Sequence, residues 1–283
     1  MIDLHAHTCC SDGTDTPEAL ALAADEAGLE ALALTDHDTL EGLPAFLAQQ
    51  PKVKARLLAG TELSCRFMGR SLHVLGLLVD PVDPVLEGRL RDFRRSRTER
   101  NARMIDRLNG LGVDLRLEEV EAQAQGAVVS RVHMALALMA RGTVRSLPEA
   151  FDRYLGDHAP GYAPREELDP PTAARWIREA GGVPLVAHPG RFAGRGFGWD
   201  EAMDALRAAG MAGFEAYYGE YGPAEQAYFL DLAARKGMVP SGGSDYHGGN
   251  KPHIRLGVGR GRLRVPAEIL DGLERARAEG DWH

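Results

Sequence analysis

The sequence predicts an α/β fold in which a parallel sheet or barrel is interrupted by an inserted helical segment. Short apolar runs alternate with segments typical of amphipathic helices in residues 1–93, and again from residue 166 onward. Residues 94–165 lack strand patterns and carry 12 Arg and no Lys against nine acidic residues. With 283 residues, 44% of them hydrophobic, the chain suits one barrel-sized domain, residues 1–93 and 166–283, with an insertion at 94–165.

The first strand is predicted at the N-terminus, where apolar and polar residues alternate through residues 2–7. Side chains two positions apart point to the same side of a strand, so His5 and His7 project together. Two neighbouring imidazoles suit a metal ion, although a pair of hydrogen-bonded core histidines would give the same pattern. Asp12, in the Gly-containing turn that follows, adds an oxygen ligand and favours the metal interpretation.

Later strands also carry groups that bind metals. Strands near residues 29–35, 56–61 and 72–79 are predicted to place His37, Glu62 and His73, and strands near 183–187 and 238–241 to place His188, Asp245 and His247. Functional groups of parallel α/β folds collect where the strands end, so we expect these side chains to lie together. The strand near 212–216 contains Glu215, for which no metal role is predicted.

The insertion is predicted to be a helical subdomain that covers the substrate. Its Arg residues are expected to form a solvated helix face, with direct nucleic-acid contact as the alternative. Ser130 is predicted to cap a helix through residue 138, and this helix start with Arg131 would suit a phosphate. A capped helix with a surface Arg is the alternative. The other candidate substrate contacts are His133, His158 and Tyr162.

Nine candidate metal ligands result: His5, His7, Asp12, His37, Glu62, His73, His188, Asp245 and His247. This set exceeds the three protein ligands of a catalytic zinc ion and suits two or three divalent ions, with Glu62 as the bridging carboxylate. Imidazoles and carboxylates without Cys suit Mn²⁺, Zn²⁺ or Fe²⁺ better than a soft metal ion, and Mn²⁺ is the ion that we expect. Clustered ions suit phosphoester hydrolysis because they activate water to hydroxide and neutralise phosphate oxygens.

These groups lie in DLHAHT at residues 3–8, SDG at 11–13, TDHD at 35–38, GTE at 60–62, AHP at 187–189 and GSDYH at 243–247. The set, with His73, resembles the motifs of the polymerase-and-histidinol-phosphatase (PHP) metal phosphoesterases. The resemblance implies a distorted, amidohydrolase-like (β/α)7 TIM-like barrel with a trinuclear metal site. It assigns the ligands as follows: one ion to His5, His7, Glu62 and Asp245; a second to Glu62, His73 and His188; a third to Asp12, His37 and His247.

Residues 130–133, Ser-Arg-Val-His, are similar to the Ser-Arg-x-His motif of stand-alone family members with a helical insert, which often have Pro where Val132 stands. That subgroup includes phosphatases of nucleoside 3′,5′-bisphosphates and 5′→3′ exoribonucleases. The resemblance implies that a metal-bound hydroxide removes the 3′-phosphate of a small nucleotide such as pAp. Arg131 would bind the second phosphate, and His188 and His247 are the candidate catalytic side chains.

Three alternative functions are a 5′→3′ exoribonuclease acting on short RNA, a histidinol phosphatase and a non-enzymatic metal-binding module. The Arg-bearing insertion favours the first, whereas the Ser130–Arg131 anion site favours a bisphosphate over histidinol phosphate. Structural zinc sites are usually closed and often Cys-rich, which argues against the third. The net charge of −8 argues against a binder of duplex DNA.

The composition also predicts the cellular setting. Three cysteines do not form a disulfide framework, which favours the reducing cytoplasm. No signal-peptide pattern is visible, and no apolar run approaches the roughly 20 residues of a spanning helix, so no membrane partner is expected. The sequence leaves the oligomeric state open.

Overall fold

The chain divides into two compact units, one of residues 1–88 and 167–283 and the other of residues 89–166. A computed structural model describes residues 1–124, 129, 131–156, 158–164, 167–192 and 197–280. We call the first unit the barrel and the second the helical unit. Among the described residues, none of the helices is both long and apolar enough to cross a membrane.

Seven strands form the barrel in the order of the chain. They are β1 (Ile2–Asp3), β2 (Ala31–Leu34), β3 (Arg56–Phe67), β4 (Arg70–Leu77), β5 (Val183–Val186), β6 (Gly213–Tyr218) and β7 (Val239–Gly243). The first and last strands are joined, because the amide of Leu4 donates to the carbonyl of Gly242 (3.1 Å) and that of Asp245 to the carbonyl of His5 (2.9 Å). The predicted seven-stranded, TIM-like barrel is therefore confirmed.

Helices follow most strands. The elements are α1 (Pro17–Glu26), α2 (Leu43–Leu47), α3 (Pro84–Gly110), α4 (Leu117–Ala124), α5 (Arg131–Ala140), α6 (Leu147–Ala150), α7 (Pro170–Glu179), α8 (Pro189–Phe192), α9 (Trp199–Ala208), α10 (Pro223–Lys236) and α11 (Glu268–Glu279). Short 3₁₀ turns span Gln50–Lys52 and Gly248–Asn250, and a π-helical turn spans Phe151–Leu155. Local sequence sets some of these limits: the Thr16 hydroxyl caps α1 by accepting from the Ala19 amide (3.2 Å), and Pro17 occupies the first turn.

The apolar core of the barrel lies between the strands and the C-terminal helix. Leu58, Leu75 and Leu185, each at most 5% exposed, pack in one cluster with Leu273 of α11. Burial of such a side chain stabilises the fold by roughly 1.5–3 kcal/mol relative to exposure. This core holds the strands in register and so fixes the positions of the polar residues at their ends.

One strand differs from the predicted parallel arrangement. The strand β4 runs antiparallel to both β3 and β5, whereas the other pairs are parallel. A two-residue turn joins β3 to β4, with φ of +47° at Met68 and +74° at Gly69, the signs that a type I′ hairpin requires. Because β3 continues to Phe67, Glu62 lies inside this strand, and the prediction that the strand ends there is wrong.

The helical unit has its own core. Met104 and Leu108 of α3 are fully buried with Met134 and Leu138 of α5. The long helix α3 begins at Pro84, well before the predicted start of the insertion at residue 94. On its surface, Arg95 pairs with nearby acidic side chains of the same helix, as expected for a solvated charged face.

Candidate metal centre

The nine predicted ligands lie at one end of the barrel. His5 and His7 follow β1, His37 follows β2, His188 follows β5, and Asp245 and His247 follow β7, while Glu62 and His73 lie within β3 and β4. His73 comes early in its strand, but the reversed direction of β4 brings it to the end where the parallel strands finish. The amide of Ala187 donates to the carbonyl of His73 (3.0 Å), which places His73 beside His188.

Glu62 lies at the centre of the cluster and is fully buried. Its Oε2 atom is 3.2 Å from a ring nitrogen of each of His5, His7 and His37. Its Oε1 atom is 3.0 Å from ring nitrogens of His73 and His188. One carboxylate therefore faces five imidazoles from four strands, which is the placement that a ligand shared between ions requires.

Two further carboxylates complete the cluster. The Oδ1 atom of Asp245 is 3.5 Å from the Nε2 atoms of His5 and His7. Asp12 contacts a different side of the cluster, at 3.2 Å from His247, 3.5 Å from His7 and 3.6 Å from His37. The carboxylates thus lie at three separate places among the imidazoles.

Among the described residues, the candidate ligand atoms fall into four overlapping groups. Within each group, all the ligand atoms lie within 4.8 Å of one another. These groups are His7, Asp12, His37 and His247; His5, His7 and Asp245; His5, Glu62 and His188; and His37, Glu62 and His73. The Oε2 atom of Glu62 and the Nδ1 atom of His37 are buried without a hydrogen bond. Buried lone pairs of this kind require a partner, so the residues fit bound cations.

The charges of the cluster also suit cations. Burial opposes ionisation of Glu62, but the attraction of His37 and other imidazoles holds its pKa well below the usual value. Burial, with a smaller effect from the neighbouring imidazoles, lowers the pKa of His37 to about 4 despite two nearby carboxylates. Burial also acts to lower the pKa of His7, but the carboxylates of Asp245 and Glu62 beside its ring raise it to about 9. Anionic carboxylates and a neutral imidazole are the forms that ligate metals, and binding would displace the proton of His7.

Two carboxylates that the sequence analysis did not assign hold the loops around the cluster. Asp36 accepts hydrogen bonds from the amide (2.7 Å) and hydroxyl (2.5 Å) of Thr8 and from the hydroxyl of Ser11 (2.6 Å). Asp3 accepts hydrogen bonds from the backbone amides of Ser244 (2.9 Å) and Gly257 (2.8 Å). Both carboxylates are buried. The signal in the sequence that could have identified them is an acidic residue beside an apolar strand.

A pair of basic side chains lies beside the cluster and was also missed. The Oδ2 atom of Asp245 accepts from the Tyr218 hydroxyl (2.7 Å), from Lys251 Nζ (2.7 Å) and from Arg191 (3.4 Å). Arg191 and Lys251 line a cavity of about 330 Å³ that the candidate ligands His37, His73 and His188 also line. These cations would therefore meet an anion that enters the cavity.

In the helical unit, Arg131 is the first residue of α5. Its guanidinium donates to the carbonyl of Leu155 (3.2 Å) and lies 5.8 Å from the ring centroid of Phe151 and 5.4 Å from that of Tyr162. The structure thus brings together two of the predicted substrate contacts, Arg131 and Tyr162. The aromatic contacts show that Arg131 also contributes to the packing of this unit.

The other predicted substrate contacts are less informative. Ser130 lies outside the described residues. His133 is half-buried on α5, and His158 is exposed in the loop that follows the π-helical turn.

A closed α/β barrel whose strand ends present clustered imidazoles and carboxylates defines a metal-dependent hydrolase. A family model described as the PHP domain matches residues 3–147, which is about half of the chain. The chain belongs to the PHP family of metal-dependent phosphoesterases. The family resemblance predicted from the motifs is therefore confirmed.

Known proteins resemble the chain over most of its length. A 3′,5′-nucleoside bisphosphate phosphatase from Chromobacterium violaceum is 33% identical over 248 residues, 87% of each chain. The 5′-3′ exoribonuclease Rnm from Escherichia coli is 30% identical over 272 residues, 95% of this chain and 91% of the relative. A solved structure from Bifidobacterium adolescentis, proposed to be a metal-dependent phosphoesterase, superposes with a TM-score of 0.74 at 28% identity and covers 97% of this chain and 96% of its own.

Proposed function

We propose that the chain is a phosphatase that removes the 3′-phosphate of nucleoside 3′,5′-bisphosphates with two or three divalent cations. The observation that carries the proposal is Glu62, whose two carboxylate oxygens face five imidazoles. The relative from Chromobacterium violaceum supports the choice of substrate. We further propose Mn²⁺ as the bound ion, with Zn²⁺ or Fe²⁺ as alternatives, and the cytoplasm as the location, where the free cysteines would stay reduced.

The proposed ligand sets are those implied by the family resemblance. One ion would be held by His5, His7, Glu62 and Asp245, a second by Glu62, His73 and His188, and a third by Asp12, His37 and His247. Contacts within each set support this assignment, since His73 and His188 share the Oε1 atom of Glu62 and Asp12 contacts both His37 and His247. Cations bound there supply activated water at neutral pH and neutralise charge on the phosphate.

The orientation of His247 supports a ligand role for this residue. Its Nδ1 atom lies 2.8 Å from the carbonyl oxygen of Asp245 and can only donate to it. In the neutral ring the Nε2 atom, 3.2 Å from Asp12, then carries the lone pair that binds an ion. Arg191 and Lys251 would contact phosphate oxygens in the cavity and stabilise the negative charge that develops during hydrolysis.

A second candidate function is exonucleolytic hydrolysis of short 5′-phosphorylated RNA. The similarity to Rnm over 95% of the chain supports it, as do the many Arg residues of α3. Both reactions cleave a bond between phosphorus and a 3′-oxygen. The same metal centre and the same basic side chains could therefore perform either one.

Phosphate release with Mn²⁺ tests the proposal on pAp, AMP, histidinol phosphate and short 5′-phosphorylated RNA. We expect kcat/KM to be highest on pAp and to vanish after chelation, with recovery when Mn²⁺ is restored. AMP serves as the control because it has no 3′-phosphate. Higher kcat/KM on RNA would favour the exoribonuclease, and full activity after exhaustive chelation would contradict metal dependence.

The variant Glu62→Gln tests the bridging role. An amide has one acceptor oxygen in place of two, so we expect elemental analysis to show the loss of more than one ion per chain. The matched control is Glu274→Gln, because Glu274 pairs with Arg56 (2.6 Å) on the surface, away from the cluster. A fully active wild-type enzyme with a single ion would exclude the shared carboxylate.

A further inference from the structure

Glu215 is a fully buried carboxylate of β6 that contacts two of the candidate ligands. Its Oε1 atom is 3.1 Å from the Nδ1 atom of His5. Its Oε2 atom accepts a hydrogen bond from the backbone amide of His188 at 2.6 Å. We propose that Glu215 is a positioning residue that prepares His5 and His188 together for metal binding. The inference rests on the proposed ligand set and not on the substrate.

The first contact selects the tautomer of His5. A neutral imidazole has one N–H donor and one acceptor nitrogen, and a carboxylate can only accept. Donation from Nδ1 to Glu215 therefore leaves the lone pair on Nε2. That nitrogen lies 3.0 Å from Nε2 of His7 and 3.2 Å from Glu62, inside the candidate ligand cluster. Carboxylates that accept from the second nitrogen of a metal-binding His also raise its basicity.

The second contact holds the backbone of His188. This residue has a φ of +27°, in the left-handed region that residues other than Gly rarely adopt. Such a conformation costs free energy and persists only when its surroundings enforce it. The short hydrogen bond from the His188 amide to Glu215 supplies that constraint. It keeps the His188 ring in place, with Nε2 at 3.0 Å from Oε1 of Glu62.

The strand itself aims Glu215 at the cluster. The pairing of β6 with β7 is regular up to Glu215 and Ser241, and it shifts by one residue before Tyr217. Irregularities of this kind change the direction of side chains and are common beside active sites. Glu215 consequently links the end of β1 to the end of β5 from a third strand.

The variant Glu215→Gln removes one of the two contacts without changing the side-chain volume. If the amide oxygen accepts from His188, the amide N–H group faces Nδ1 of His5. That nitrogen must then become the acceptor, which moves the ring proton to Nε2 and blocks it as a ligand. If the side-chain amide of the variant is rotated by 180°, its N–H group faces the backbone N–H group of His188, and neither donor has an acceptor there.

The experiment measures the His5 tautomer and the affinity for Mn²⁺ in the full chain. Long-range ¹H–¹⁵N correlation spectra of the metal-free protein, recorded at a pH at which His5 is neutral, report the tautomer, and a His5→Gln variant assigns the signal. We expect Glu215→Gln to shift His5 toward the Nε2–H form or to disorder the His188 backbone. We expect the Kd for Mn²⁺ to rise by about 10- to 100-fold in either case. If this variant does not fold, Glu215→Asp decides, since a carboxylate shorter by one carbon cannot reach both donors and should also weaken Mn²⁺ binding.

The control variant is Phe214→Leu, because Phe214 precedes Glu215 and points to the opposite side of β6. It should lower the Tm without changing the tautomer or the Mn²⁺ affinity. A Glu215→Gln variant that behaves in the same way, with only the Tm lowered, would overturn the proposal, as would a folded Glu215→Asp variant with wild-type affinity. Neither readout uses a phosphoester, so either result leaves the proposed substrate to be judged by its own assay.

Discussion

The carboxylates in and around the candidate metal centre have two kinds of partner. Asp12, Glu62 and Asp245 each face two or more imidazoles, whereas Asp3 and Asp36 accept hydrogen bonds from backbone amides and hydroxyls, and Glu215 contacts one backbone amide and one imidazole. A buried charge is tolerated only when donors or cations compensate its lost hydration. The first three carboxylates are therefore suited to bind ions, and the second three to hold the segments that carry the ligands.

At the residue scale, Arg131→Ala tests the proposed recognition of the second phosphate. A hydrogen bond to a charged group contributes roughly 1.5–3 kcal/mol, so kcat/KM on pAp should fall by about 10- to 150-fold. The kcat/KM on adenosine 3′-monophosphate should hardly change, because this substrate lacks the 5′-phosphate. Steady-state kinetics on both substrates measures the difference.

Arg131 also packs against Phe151 and Tyr162, so a loss of folding must be separated from a loss of binding. The matched control is Arg141→Ala, which removes a cation of the same helical unit that pairs with Glu119 (2.5 Å). An equal decrease on both substrates would assign Arg131 to the fold or to the reacting phosphate.

At the element scale, the sequence predicts the barrel well because short apolar strands alternate with capped helices. It does not reveal the direction of β4, because a strand followed by a hairpin and one followed by a crossover have the same apolar pattern. The consequence is visible in His73, which reaches the cluster only because β4 is reversed. The roles of Asp3, Asp36 and Glu215 depend on contacts distant in sequence, and a local pattern can indicate an acidic residue beside an apolar strand but not its partners.

The hairpin between β3 and β4 offers a test of this element. Met68 is 67% exposed and has a φ of +47°, a conformation that disfavours most side chains but that Asn adopts readily. We expect Met68→Asn to raise the free energy of unfolding by about 0.5–1 kcal/mol, since Asn-Gly is the preferred type I′ turn. Denaturant unfolding measures the change, and Met68→Val, with a β-branched side chain, should be destabilising. Equal stability of the two variants would contradict the turn assignment.

At the scale of the whole molecule, each unit has its own apolar core, so the barrel and the helical unit are separable in principle. All nine proposed ligands belong to the barrel, and Arg131 belongs to the helical unit. We propose that the barrel performs hydrolysis and that the helical unit contributes to the selection of the substrate through Arg131. This division of labour predicts that the two properties can be lost independently.

Replacing residues 89–166 by a flexible Gly-Ser linker tests this division. The remaining barrel should bind Mn²⁺ and hydrolyse an activated aryl phosphate such as p-nitrophenyl phosphate, because its ligands and the basic pair Arg191 and Lys251 are intact. Its kcat/KM on pAp should fall by at least about 10-fold, since the charged contact from Arg131 is gone. Glu62→Gln in the shortened chain is the control and should abolish both activities. A folded, shortened chain that turns over pAp at the full rate would show that the barrel alone selects the nucleotide, and specificity would then have to be sought among the side chains that line its cavity.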